Sequence, residues 1–258
     1  IIMPNNAPSV KRNAVEVTYG AKVYLSGQSQ REREETCERV IRETGAHFIH
    51  PYDNDRVIAG QGTVLLEMVE QLREQTGDCD AVFDTIICPI GGGGLMSGVS
   101  IAARELFGRR VRIIGVEPEN ANDAQRSLQL GTMVENEQQP PQTICDGLKT
   151  NLKERTWRYI RQNVDEIVTV TDSEVQRAMK LVFERMKIVI EPSSAAVVAA
   201  ALYRGAASSA SSATASPPQD GAATTTETTT TTAVPTTRRV GLVISGGNCD
   251  LDHLPWLL

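Results

Sequence analysis

Apolar residues recur every three to four positions in segments 10–18, 29–44, 63–76, 95–107, 121–130, 152–163 and 173–186, the period of a helix that buries one face. A further helix is read from Glu191-Pro192 to Arg204, where proline follows a capping acid. Between these segments lie short β-rich runs at 21–25, 47–50, 81–89, 111–116, 167–170 and 240–244. The opening Ile1-Ile2-Met3, followed by the breakers Pro4 and Pro8, reads as the end of a buried strand. Gly45 ends the helix over 29–44, whose charged residues form a solvated face opposite Cys37, Val40 and Ile41. Strands alternating with helices along most of the chain predict an α/β fold with parallel sheets.

One stretch departs from both periods. Residues 205–237 are built from Ala, Ser, Thr, Pro and Gly with almost no large apolar side chain, so burial cannot offset the entropy of ordering them. A disordered surface insertion is expected there, between the helix that ends at Arg204 and the strand that starts at Val240. Loop closure entropy grows only logarithmically, which lets such an insertion sit between intact elements.

Composition narrows the class. The 258 residues are 40% hydrophobic and 22% charged, which fits a globular chain with enough length for one large domain or two modest ones. The net charge of -6, with 26 basic residues spread along the chain, argues against a nucleic acid as the main partner. Apolar runs are too short and too often interrupted to span a bilayer, and no signal-peptide pattern is present. The five cysteines, Cys37, Cys79, Cys88, Cys145 and Cys249, are far apart and without metal-site spacing, so a reducing, cytoplasmic setting is expected.

The most informative segment is the buried run Ile86-Ile87-Cys88-Pro89-Ile90, which turns through Gly91, Gly92, Gly93 and Gly94 into the helix that begins Leu95-Met96-Ser97-Gly98. Without side chains, several backbone N–H groups converge at a helix N-terminus, and a phosphate is the natural guest. A tight turn alone needs one or two such glycines rather than four. No Lys-Ser/Thr follows, so the turn is not that of a nucleoside-triphosphate loop. A second joint, Val243-Ile244-Ser245-Gly246-Gly247-Asn248, places a hydroxyl where open α/β sheets bind ligands, or in an ordinary strand-end turn.

With both joints in view the chain resembles the fold type II pyridoxal-phosphate enzymes (tryptophan synthase β-like), within them the serine racemase and serine/threonine dehydratase family. The resemblance runs through Val57-Ile58-Ala59-Gly60-Gln61-Gly62-Thr63, the four glycines, Glu117-Pro118 with Asn122-Asp123, and Cys145-Asp146-Gly147-Leu148-Lys149. It continues through Glu184-Arg185-Met186-Lys187, Glu191-Pro192-Ser193 and Ser245-Gly246-Gly247-Asn248.

That resemblance implies residues 1–51 as the remainder of a small domain and 52–258 as a large cofactor-binding domain. It implies that Gly91, Gly92, Gly93, Gly94 and Leu95 hold the phosphate of pyridoxal 5'-phosphate and that Ser245 meets the pyridine nitrogen. A neutral hydroxyl there does not enforce a protonated ring, which suits β-elimination of water and permits racemisation. Glu117, Ala121 and Asp123 match positions that hold Mg²⁺ or Ca²⁺ in racemase-like members, an oxygen-only set. Read without that resemblance, the two acids serve equally as helix-start charges favouring the dipole. Tyr19, Lys187 and Asn248 correspond to nucleotide-contacting positions in ATP-stimulated members, while Lys187 alone reads as a surface charge. An amino acid substrate such as L-serine or L-threonine and a homodimer are further implications.

The implied activity is serine racemase or L-serine (threonine) ammonia-lyase. The alternatives are a dehydratase specific for threonine or 3-hydroxyaspartate, and a non-catalytic fragment or pseudoenzyme. The family's Schiff-base lysine motif is not found, since Lys11, Lys22, Lys149, Lys153, Lys180 and Lys187 all lie in other contexts. The expectation is therefore that the N-terminal segment carrying that lysine is absent and that this chain alone is inactive.

Overall fold

The structure, a computed structural model, describes residues 1–205 and 238–256. Apart from Gly205, the low-complexity segment 205–237 lies outside them. Four parallel strands form the main sheet in the order β5-β4-β3-β6: β3 (Thr85–Pro89), β4 (Arg112–Pro118), β5 (Glu166–Val170) and β6 (Val240–Leu242). Every residue of β3 is buried, as a central strand covered on both faces must be. Side chains alternate across the sheet with period two: Ile86, Cys88 and Ile90 enter one core and Ile87 the other.

The first core lies under α3 (Asp55–Thr76), α4 (Gly94–Phe107) and α6 (Glu154–Asn163), with Leu65, Met96, Val99 and Ile160 fully buried. Each such side chain contributes about 1.5–3 kcal/mol by leaving water. The second lies under α7 (Asp172–Met186) and α8 (Pro192–Tyr203), where buried Ala195, Ala196, Ala199 and Ala200 bring the helix close to Ile114 and Val116. The short α5 (Asp123–Leu130) follows β4 directly.

Residues 1–51 hold a separate parallel pair, β1 (Ile2–Pro4) and β2 (Tyr24–Ser26), joined by α1 (Ser9–Asn13) and its continuation through a wider turn at Ala14–Thr18. The helix α2 (Gln30–Thr44) starts on a capping box in which Ser29 and Glu32 satisfy one another's backbone N–H, and α7 starts on the same device at Thr171 and Glu174.

Several elements differ from the sequence pattern. The helix expected from residue 63 begins at Asp55, because the Asn54 side chain accepts the N–H groups of Arg56 and Val57. Gly60 and Gly62 concealed that first part from the pattern, and Gly62 is required because the Gly98 carbonyl lies 3.0 Å from where its Cβ would stand. Segment 47–50 is irregular rather than a strand, with Phe48 and Ile49 exposed and the His50 ring accepting two backbone N–H groups in a turn. β2 lies at Tyr24–Ser26 rather than 21–25, and β1 is only partly covered, with Ile1 62% exposed. Among the described residues, no helix is long and apolar enough to cross a membrane.

Candidate active site

The four glycines leave β3 at the carboxyl edge of the sheet, and steric crowding accounts for each of them. A Cβ on Gly91 would stand 2.8 Å from the Gly147 carbonyl, one on Gly92 2.4 Å from the Tyr52 ring, and one on Gly94 2.9 Å from Tyr52 Cα. Gly93 caps α4 at φ 85°, a left-handed conformation, and a Cβ there would meet Leu152 and Ile160 within 3.0 Å. With no side-chain cap at Gly93, the first N–H groups of α4 have no intrahelical partner and face an incoming anion with the positive end of the helix dipole.

β6 lies beside β3, with Ile87 opposite Leu242 and the Val243 N–H donating to the Ile87 carbonyl at 2.9 Å. That pairing brings Ser245-Gly246-Gly247-Asn248 to the same sheet edge as the four glycines. Ser245 is exposed there, while Gly246 is pinned between the Ser194 hydroxyl, which accepts its N–H at 2.6 Å, and the Glu191 carboxylate. A third loop, around Asp146 and Gly147, fills the space between Gly91 and the start of α8.

Tyr52 escaped the sequence reading. Its ring covers Gly92 while its backbone and Cβ stand against Gly94, and its hydroxyl, which burial holds well above the usual phenol range, donates to the Asn151 carbonyl at 3.0 Å. The signal available was its place just before the segment that became α3.

Behind the cradle, Glu117 at the end of β4 and Asp123 at the start of α5 are 0% and 1% exposed. Glu117 accepts the N–H groups of Ala124 and Gln125 at 3.0 and 2.8 Å; Asp123 accepts the Leu152 N–H at 2.8 Å and the Asn136 side chain at 3.0 Å. Burial, then the charge of Asp123, raises Glu117 well above the usual carboxylate range, and burial pushes Asp123 up to about 6. Among the described residues neither forms an ion pair, and no group of three or more His, Cys, Asp or Glu converges on a metal position. Ala121, fully buried, lies between them in sequence. Two uncompensated carboxylates in a dry site suit an oxygen-seeking cation.

The structure does not gather the three nucleotide candidates into one pocket. Asn248 lines a cavity of about 440 Å³ whose walls include Asp146, Asp250 and His253 but neither Tyr19 nor Lys187. Tyr19 is 78% exposed, and Lys187 ends α7 in a left-handed conformation with its ammonium on the Glu184 carbonyl at 2.5 Å. Among the other lysines, Lys153 pairs with Glu34, and Lys11 pairs with Asp146 and Glu191 in contacts that raise its pKa despite the opposing effect of burial. A raised pKa is the reverse of what a nucleophilic amine requires.

A four-glycine turn opening a helix, set beside a serine loop at the carboxyl edge of a parallel sheet, is the arrangement expected of a fold type II pyridoxal-phosphate enzyme. The family model for pyridoxal-phosphate dependent enzymes (PALP) matches residues 1–215. The chain is 38% identical to the beta-hydroxyaspartate dehydratase of Paracoccus denitrificans over 256 residues, covering 99% of this chain and 69% of that protein. It is 37% identical to the serine racemase of Dictyostelium discoideum, covering 100% of this chain and 69% of the relative. The solved structure of maize serine racemase superposes with a TM-score of 0.78 at 36% identity, over 98% of this chain and 66% of that one. The chain thus spans about two thirds of the length of these relatives. It belongs to the pyridoxal-phosphate dependent enzymes, in the serine racemase and dehydratase group.

Proposed function

We propose that the protein acts on a β-hydroxy amino acid, L-serine, L-threonine or 3-hydroxyaspartate, and removes its Cα proton. Loss of the β-hydroxyl as water leaves an enamine whose imine tautomer is hydrolysed by water to a keto acid and ammonia, while return of the proton to the opposite face gives the enantiomer. The observation that carries this reading is the four-glycine cradle beside Ser245. Pyridoxal 5'-phosphate supplies, when bound, the electron sink for negative charge at Cα.

This chain's own residues hold and orient the cofactor, since none of its lysines stands in the Schiff-base motif that would take the Cα proton. The free N–H groups at the start of α4 hold the phosphate, and Ser245 offers the ring nitrogen a neutral hydroxyl in place of a carboxylate, so full ring protonation is not enforced. Tyr52 closes the cradle against water. Glu117, Asp123 and the Ala121 carbonyl hold Mg²⁺ or Ca²⁺ and brace the start of α5. In this reading residues 1–51 belong to a small domain and 52–258 to the cofactor domain, and Tyr19, Lys187 and Asn248 meet a nucleotide once a second copy completes their site.

The test is titration with pyridoxal 5'-phosphate, then assay of keto acid, ammonia and D-enantiomer from the three amino acids with the protein at its natural length. Saturable binding that Gly94→Ala abolishes, with keto acid or enantiomer from at least one substrate, is expected. Absence of binding, or a transamination product in place of these, overturns the reading.

A further inference from the structure

Residues 1–51 meet the Asp146 and Glu191 segments through an ammonium. Lys11 of α1 places its Nζ 2.7 Å from Asp146 Oδ2 and 3.4 Å from Glu191 Oε2, the three side chains retaining only 20, 28 and 11% exposure. Each carboxylate belongs to a different wall of the site. Asp146 leads into Gly147, whose carbonyl crowds Gly91 and whose N–H donates to the Ser193 hydroxyl at 3.0 Å. Glu191 caps α8, accepts the Asn248 N–H on the same Oε2 at 3.2 Å, and donates its own N–H to the Gly246 carbonyl at 3.0 Å. A Cβ on Gly246 would stand 2.6–2.9 Å from that carboxylate, so the loop and Glu191 move together or not at all.

We propose that Lys11 is a positioning residue: it clasps Asp146 to Glu191 and, through Glu191, fixes the Ser245–Asn248 loop at the height the cofactor ring requires. The inference rests on the pyridoxal-phosphate reading above for what the loop holds, but the clasp itself stands on geometry alone. Without the ammonium, two carboxylates share a half-dry space and repel. Glu191 then turns toward solvent, releases the Asn248 N–H, and lets the serine loop drift from the ring. The phosphate cradle is fixed separately by the crowding of Gly92, Gly93 and Gly94 against Tyr52, Leu152 and Ile160, and does not depend on Lys11. A guanidinium restores the charge where a thioether cannot.

The test compares the unaltered chain with Lys11→Met and Lys11→Arg in two measurements. Hydrogen exchange without cofactor is expected to quicken in Lys11→Met by about tenfold at the Asn248 amide, which donates to Glu191, the size of losing one hydrogen bond to a charged group, while the Gly246 amide keeps its bond to the Ser194 hydroxyl. Exchange across residues 91–95 is expected to stay unchanged, and Lys11→Arg to behave as the unaltered chain. In equilibrium dialysis Lys11→Met is expected to weaken pyridoxal 5'-phosphate about tenfold while inorganic phosphate at the cradle binds as before. Unchanged exchange at residues 245–249, equal loss for both ligands, or failure of Lys11→Arg to rescue overturns the clasp. If the unaltered chain binds neither ligand, the cofactor reading falls, and hydrogen exchange still decides the clasp. Should Lys11→Met not fold, Asp146→Asn removes one arm and is expected to quicken the Asn248 amide to a smaller degree, and the absence of that change counts against the proposal.

Discussion

Tyr52 and Asn151 are joined by a 3.0 Å hydrogen bond across 99 residues of chain, from the phenol to the backbone carbonyl. Gln30 of α2 completes the contact on both sides, donating to the Tyr52 hydroxyl at 3.2 Å and accepting the Asn151 N–H at 3.2 Å. The Asn151 side chain in turn accepts from Asn136, which also donates to Asp123, and the neighbouring Leu152 N–H lies on Asp123. The glycine cradle and the buried acid pair therefore share one wall, and α2 is fastened to it.

The crowding at Gly94 makes the first prediction. A Cβ there would meet Tyr52 at its Cα and carbonyl oxygen, 2.9 and 3.0 Å away, and backbone cannot swing aside as a ring can. Gly94→Ala is expected to cost about 1–3 kcal/mol of stability and to abolish pyridoxal 5'-phosphate binding. Tyr52→Phe keeps the ring and loses the two hydrogen bonds of its hydroxyl, so it is expected to cost about 1–3 kcal/mol but to retain binding. Thermal denaturation and dialysis on the two variants check the contrast, and equal loss of binding in both would argue that the phenol, not the backbone, sets the cradle.

Two glycines of the α3–α4 pair are expected to respond in opposite directions. A Cβ on Gly98 would stand 2.3–2.8 Å from backbone atoms of Ile58, Gln61 and Gly62, whereas one on Gly60 meets nothing within 4 Å. Gly98→Ala is expected to destabilise by about 1–3 kcal/mol through overpacking. Gly60→Ala, in an exposed helical position, is expected to stabilise by about 0.5–1 kcal/mol. Denaturant unfolding midpoints give both signs in one experiment.

The contrast between Gly60 and Gly98 shows where sequence reading stops. The alternation of periods was enough to define a parallel α/β sheet, and the four glycines and Ser245 were legible because each follows a buried strand directly. Tyr52, Lys11, Asn136 and Glu191 were not legible as a group, since their partners lie far along the chain and only the strand order brings them together. The start of α3 was hidden for a local reason: Gly60 and Gly62 lower helix propensity, and what Gly62 serves is a backbone approach to α4 that leaves no periodic trace. Segment 47–50 has strand-like residues but no neighbouring strand, and without pairing its propensity decides nothing.

His50 gives the chain a pH response with a definite sign. Its Nδ1 accepts the N–H groups of Asp53 at 2.8 Å and Tyr52 at 3.3 Å, a role open only to the neutral ring, and burial is the leading cause that lowers its pKa below 6.5. Between that lowered value and 6.5 the unfolded chain binds more protons than the folded one, so this contribution to stability is complete above about pH 6.5 and is lost as pH falls through the folded-state value. His50→Asn, which offers an acceptor oxygen that does not titrate, is expected to flatten stability against pH in that window. A slope unchanged in the variant would assign it to other groups.

The acid pair makes the last prediction. Among the described residues Glu117 and Asp123 lie among the Ala124, Gln125 and Leu152 amides without an ion-pair partner, burial raises the pKa of both, and those amides occupy only part of the lone-pair capacity of four carboxylate oxygens. In the reading proposed above, a divalent cation of the oxygen-seeking kind would satisfy the remainder and relieve the repulsion between them. A cation that binds the folded chain alone would stabilise it increasingly with concentration, by about 2.7 kcal/mol at one hundred times the dissociation constant. Millimolar Mg²⁺ or Ca²⁺ is therefore expected to raise the melting temperature at pH 7.5 and to do so less at pH 5, where protons compete for the same oxygens. Glu117→Gln removes one charge but turns an amide NH2 toward one of the two backbone N–H donors, and is expected to cancel the response while lowering the cation-free melting temperature. A melting temperature indifferent to both cations in the unaltered chain would leave Glu117 and Asp123 as backbone caps for the start of α5 and remove the cation from the site.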